Sequence, residues 1–190
     1  TRLVAIGHIH WSDGTLFNLE KIRKRLDEVG GLLAVDGTQS VGALPFSIQK
    51  IKPDALICGG YKWLLGPYSI GLAYYGSAFD NGVPIEENWI NRQNSENFSQ
   101  LIKYEKNYQD LALRYEVGEH SNFILIPMIH EAIKQLNKWG PENIQCYARN
   151  LMSNAIPQLK DWGYEIEKES FRANHLFGVR LPKNADLKRL

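Results

Sequence analysis

With 190 residues, 44% of them hydrophobic, the chain can bury the core of one ordinary domain. Its net charge of +1 gives no electrostatic footprint for nucleic acid or an acidic membrane surface. No apolar run approaches the roughly 18 residues of a membrane span and no signal peptide is visible. The two cysteines, Cys58 and Cys146, lie in apolar patterns and suit a reducing, cytoplasmic compartment better than a disulfide framework.

The elements read as strands alternating with helices. A strand over 3–9 is followed by Asp13-Gly14-Thr15, which predicts the cap of a helix near 16–29. Leu19, Ile22, Leu26 and Val29 form one apolar stripe at 3-4-3 spacing, and Gly30-Gly31 stops it. A strand over 32–36, a connection carrying Pro45 and Pro53, and a strand over 55–58 come next. The run 70–75 reads as a further strand, and the short Gly-Pro link before it predicts antiparallel entry rather than another crossover. Residues 76–121 are polar, Asn-rich and irregular, a length that marks a functional loop or an oligomer contact. A helix over 124–139 closes at Trp139-Gly140, and a second runs from 141 to 162 with a bend at Pro157. Tyr164–Glu167 and Leu176–Leu181 alternate like strands. This pattern predicts a smaller α+β unit starting near 141–150, dividing the chain into 1–140 and 141–190.

Two apolar runs end in chemistry. Gly31-Leu-Leu-Ala-Val closes on Asp36-Gly-Thr-Gln39-Ser40, and Asp54-Ala-Leu-Ile-Cys-Gly-Gly leads to Tyr61-Lys62-Trp63. Groups at the carboxyl ends of parallel strands face the ligand crevice of an open sheet. An acid that can hold a pyridinium and an amine that can form an imine are what pyridoxal phosphate chemistry requires. Asp36 alone also reads as the cap of its turn, and Lys62 as a surface lysine. The bulk of Tyr61, Trp63, Leu64 and Leu65 predicts that the Lys62 amine is desolvated, which disfavours its charged form.

Asp36-Gly-Thr-Gln39-Ser40-Val-Gly42, Tyr61-Lys62-Trp63 and Gly66-Pro67 resemble the class V branch of fold-type I pyridoxal-phosphate enzymes. That branch includes cysteine desulfurases, selenocysteine lyases, kynureninase and isopenicillin N epimerase-like proteins. The resemblance continues through Glu86-Glu87-Asn88-Trp89, Arg114-Tyr-Glu-Val-Gly118 and His175-Leu-Phe-Gly178, nearly the whole chain. It implies an α/β fold: part of the large domain, mostly parallel sheet with flanking helices, and the start of a small α+β domain. It also implies an internal fragment, consistent with the strand-like Leu3-Val-Ala-Ile6 straight after Thr1-Arg2 and with Asp186–Leu190 ending where a helix would begin.

The resemblance further implies that Lys62 forms an internal aldimine with pyridoxal 5'-phosphate and shuttles the substrate's Cα proton. Asp36 then holds the pyridinium, and Gln39 donates to the phenolic oxygen, the alternative being a turn-surface amide. Tyr61 stands where desulfurases carry His and either orients phosphate or substrate or packs. Gly59 replaces a serine that binds phosphate in relatives. Arg114 and Gly118-Glu-His-Ser-Asn122 resemble the segment that reaches the cofactor phosphate of the partner subunit. Glu119 replaces its threonine, so Ser121 or Asn122 must substitute, or both are an N-cap of the following helix. Thr38 and Ser40 read as backbone caps, and His120, His130 and His175 as structural or surface residues. His8 and His10 lack a Cys or acidic partner at ligand spacing, so no metal is expected.

The implied activity is aminotransferase class V chemistry on an amino acid, in a homodimer. The alternatives are a class V lyase or desulfurase, for which neither cysteine sits in an exposed loop, and a non-catalytic module that kept the fold.

Overall fold

The computed structural model describes residues 1–182 and Ala185, so the Asp186–Leu190 segment lies outside the described residues. Four strands form one sheet in chain order: β1 (Leu3–Gly7), β2 (Leu32–Asp36), β3 (Ala55–Gly59) and β4 (Gly71–Tyr75). The first three are parallel, and β4 returns antiparallel to β3, as the short Gly-Pro link predicts. β1 ends two residues earlier than read, and Ile9 instead bridges to Leu16. In this register Asp36 stands between Gly7 and Ile57 at the carboxyl edge of the sheet.

Helix α1 (Leu19–Val29) covers one face. Its cap is Asn18, whose side chain accepts from the Lys21 amide, not the earlier Asp13-Gly14-Thr15. Asp13 instead accepts from the Thr15 amide within its own turn. Leu19 and Leu26 pack with Leu33, Val35, Leu56 and Cys58. Val29 stays exposed at the helix end, where Gly30 in the left-handed conformation terminates it. The inward place goes to Arg23, whose Nη1 meets Asp54 Oδ2 at 2.8 Å while Nη2 donates to the Gly31 carbonyl at 2.7 Å. Asp54 also accepts from the Leu33 amide, so one carboxylate joins α1, β2 and the start of β3. A one-turn helix, α2 (Ile48–Ile51), capped by Ser47, sits between the two prolines and was not read from the sequence.

Residues 76–124 carry only three short 3-10 turns. Helix α3 (Leu125–Trp139) follows, with Ile129 and Leu136 buried. The expected 141–162 helix is two: α4 (Pro141–Met152) and α5 (Ala155–Asp161). The break lies before Pro157 because proline has no N–H for the Ser153 carbonyl and its ring crowds that group. The late strands shrink to β5 (Glu165–Ile166) against β6 (Val179–Arg180). Among the described residues no helix is long and apolar enough to cross a membrane.

Candidate active site

The turn after β2 is built around Asp36. Its Oδ1 accepts from the Thr38 amide at 2.9 Å, the turn-capping role open to this residue. Among the described residues its Oδ2 has no hydrogen-bond partner, and the residue is exposed. Gly37 donates to the Ile57 carbonyl at 2.8 Å. A Cβ there would lie 2.8 Å from Cys58 Sγ, Leu56 Cδ1 and Val41 Cγ2, so any larger residue requires those core side chains to shift. Ser40 is fully buried and donates to the Gly37 carbonyl, a packing role. Thr38 reaches across strands: its Oγ1 accepts from the Gly59 amide at 2.9 Å.

The second arm starts at Gly59. Gly60 donates to Ile70 and Gly66 donates to the Gly60 carbonyl, each at 2.8 Å, closing a loop that carries Lys62. The loop rests on the first turn at Gly42, where φ is +101° and a Cβ would lie 2.2 Å from the Trp63 carbonyl oxygen. Lys62 Nζ lies 5.7 Å from the Tyr61 ring centroid and has no ion-pair or hydrogen-bond partner among the described residues. Enclosure of this amine is partial: Leu64 is 4% exposed, but Tyr61 is 43% and Leu65 50% exposed. Tyr61 stacks on Tyr68, with centroids 4.7 Å apart. At Gly59 a Cβ would sit 3.1 Å from the Tyr61 ring and 3.3 Å from Thr38 Cγ2, so a side chain there requires those neighbours to give by a few tenths of an ångström.

The Gln39 side chain has no hydrogen-bond partner among the described residues, while its carbonyl accepts from His175 Nε2 at 2.9 Å. A carboxylate with one oxygen engaged and one free, an amide and a primary amine thus stand on two turns that the Thr38–Gly59 hydrogen bond connects, the amide and the amine without side-chain partners among the described residues. Such an amine can condense with a carbonyl, and the acid can hold a proton beside it.

Other sequence candidates lie elsewhere. Asn122 Oδ1 accepts from the Ile124 and Leu125 amides at 3.1 and 2.8 Å, capping α3. Ser121 beside it is exposed. Arg114 Nη1 donates to the Gly82 carbonyl at 3.0 Å. Glu119 holds a left-handed φ of +55° in that segment. Burial, reinforced by the Asp36 charge, pushes the Cys58 thiol up to about 11, although the Gly37 amide opposes the shift. Cys146, read as sitting in an apolar pattern, is exposed on α4. Sequence reasoning missed His175 as a site neighbour, because its partner is a backbone carbonyl 136 positions away.

The aminotransferase class-V family profile matches residues 1–177. An uncharacterised aminotransferase of Bacillus subtilis is 24% identical over 87% of this chain and 43% of its own length. A cysteine desulfurase of Shigella sonnei is 29% identical over 84% of this chain and 38% of that protein. Among solved structures, a cysteine desulfurase from Thermococcus onnurineus superposes with a TM-score of 0.78 at 19% identity, over 96% of this chain and 45% of that one. A ureidoglycine-glyoxylate aminotransferase from Bacillus subtilis gives 0.66 at 19% identity, over 99% and 47%. The chain spans less than half the length of these proteins. The mostly parallel sheet with flanking helices is the fold-type I large-domain arrangement. On a family match over residues 1–177, the chain belongs to the aminotransferase class-V family.

Proposed function

We propose that this chain carries the cofactor-holding part of a pyridoxal-phosphate enzyme that transforms an amino acid, most simply an aminotransferase. The observation that carries this reading is the set of the free Asp36 Oδ2, the Gln39 amide and the Lys62 amine on two turns connected by the Thr38–Gly59 hydrogen bond. Pyridoxal phosphate, when bound, supplies an aldehyde for the substrate amine and a ring that takes up electron density from Cα. Lys62 would hold the cofactor through its amine and, as the free amine, would serve as the base that moves the substrate proton. The Asp36 carboxylate would hold the protonated ring nitrogen of the cofactor with one oxygen, while the other holds the turn through the Thr38 amide. The Gln39 amide would donate to the phenolic oxygen, and Tyr61 would orient the phosphate or the substrate. Asn122, with Oδ1 engaged in capping, keeps its amide nitrogen for a phosphate, and Ser121 its hydroxyl.

In this reading residues 1–140 belong to the cofactor-binding domain and 141–190 begin a smaller one. A homodimer is the assembly this reading expects, with the exposed Ile85, Ile102, Tyr104 and Phe123 as candidates for contact surface. Two free cysteines support a reducing, cytoplasmic setting. The second reading, a lyase or desulfurase, draws on relatives so named. Cys58 offers it nothing, since a thiol at about 11 stays protonated at neutral pH.

The test is to incubate the purified full-length protein and pyridoxal phosphate with single amino acids plus a keto-acid acceptor. Keto-acid product and a shift in visible absorbance are expected. Sulfide release from cysteine without transamination selects the second reading, and no chemistry with any amino acid contradicts both.

A further inference from the structure

The His175 imidazole bridges segments far apart in the chain. Its Nε2 lies 2.9 Å from the Gln39 carbonyl, which can only accept, so Nε2 carries the proton. Nδ1 is then the acceptor and takes a hydrogen bond from Gln145 Nε2 at 2.7 Å. The same Gln145 nitrogen donates to the Ala43 carbonyl at 2.8 Å, and its Oε1 accepts from the Asn174 amide at 2.9 Å. Every bond of that amide fixes its orientation, because a flip would turn its oxygen toward the Ala43 carbonyl. The imidazole also stands edge-on to Trp63, centroids 4.5 Å apart. Burial lowers the His175 pKa against the opposing Gln39 bond, in keeping with a neutral ring.

What this pair grips is the candidate site. Gln39 lies within the turn that begins at Asp36, Ala43 lies at its far end, and Trp63 follows Lys62. The arm with the acid and amide and the arm with the lysine are thereby referenced to one ring delivered by residues 145 and 175. We propose that His175 and Gln145 are a positioning pair that sets the Gln39 turn against the Lys62 turn, so that pyridoxal-phosphate affinity depends on them. This rests on the functional reading above.

The experiment compares purified full-length wild type with His175→Phe, His175→Gln and Gln145→Leu. The readouts are pyridoxal-phosphate titration, visible circular dichroism of the bound cofactor, and the Tm of the cofactor-free protein. Phenylalanine keeps the ring against Trp63 and removes both hydrogen bonds. It should weaken binding roughly tenfold and alter the visible dichroism, with the cofactor-free Tm down by only a few degrees. Glutamine, whose amide can still donate to the Gln39 carbonyl, should recover most of the affinity. Wild-type affinity and dichroism in His175→Phe, or no recovery in His175→Gln, would overturn the proposal. If His175→Phe does not fold, Gln145→Leu decides, with weakened binding expected and unchanged binding contrary. Loss of fold in both makes the pair a structural clamp and also overturns it. Wild type that binds no pyridoxal phosphate sinks the functional reading itself, whereas binding wild type with unaffected variants sinks only the positioning pair.

Discussion

The Thr38 hydroxyl accepts a hydrogen bond from the Gly59 amide at 2.9 Å, a side-chain contact that, beside the Gly37–Ile57 backbone bond, ties the turn after β2 to the end of β3. Asp36 lies two residues before one end of it and Lys62 three residues after the other. Thr38→Val keeps the shape and leaves the Gly59 amide without its acceptor. A loss of about 1–3 kcal/mol in stability is expected from urea unfolding, together with weaker pyridoxal-phosphate binding. Thr38→Ser should restore both. A valine variant with wild-type stability and binding would mean that the two arms are held by other contacts.

Asp36 has two separable jobs. Asparagine can make the same side-chain bond to the Thr38 amide but cannot hold a proton on a pyridine nitrogen as a carboxylate does. Asp36→Asn should therefore keep the wild-type Tm and lose activity by on the order of a hundredfold or more. Asp36→Ala should lose both. Near-normal turnover in the asparagine variant would reduce Asp36 to a turn cap.

Gly42 sits at φ +101°, and a methyl group there would lie 2.2 Å from the Trp63 carbonyl. Gly42→Ala must strain the backbone and push the Lys62 turn away. A destabilisation of at least about 2 kcal/mol is expected by thermal or urea unfolding. An alanine variant of wild-type stability would contradict the contact.

The strands were legible because each is a short apolar run closed by Gly, Pro or Asp, and Leu32–Asp36 emerges with the bounds read. The antiparallel return of β4 followed from chain length alone, since the Gly-Pro link is too short for a crossover. Helix ends were harder. Asn18 and Asp13 both offer capping oxygens, and only packing of Leu19 against the sheet chooses between them. Arg23 went unread as a core residue because its partner, Asp54, is 31 positions away. The candidate residues Asp36, Gln39 and Lys62 were legible as candidates because they stand at or just after strand ends. His175 and Gln145 act through backbone carbonyls of a distant turn, and no local pattern encodes that.

His8 gives the fold a pH dependence. Burial, with a smaller contribution from His175, lowers its pKa from 6.5 to about 4. The unfolded chain thus binds a proton that the native state refuses, so stability is full above pH 6.5 and falls as pH drops toward about 4. The loss should reach about 3 kcal/mol at the acid end of that window. Urea unfolding across it, with His8→Phe as the control that reduces the slope and leaves the part owed to His175, checks the assignment. A wild-type profile already flat between those values would contradict it.

Lys62 is the residue on which the account turns, and its most direct test is chemical. The purified full-length protein is loaded with pyridoxal phosphate, reduced with borohydride, digested and mapped by mass spectrometry. The predicted result is a single phosphopyridoxyl adduct on the peptide containing Lys62, absent from Lys62→Ala. An adduct on another lysine, or an equal yield from the alanine variant, would contradict the site built from Asp36, Gln39 and Lys62.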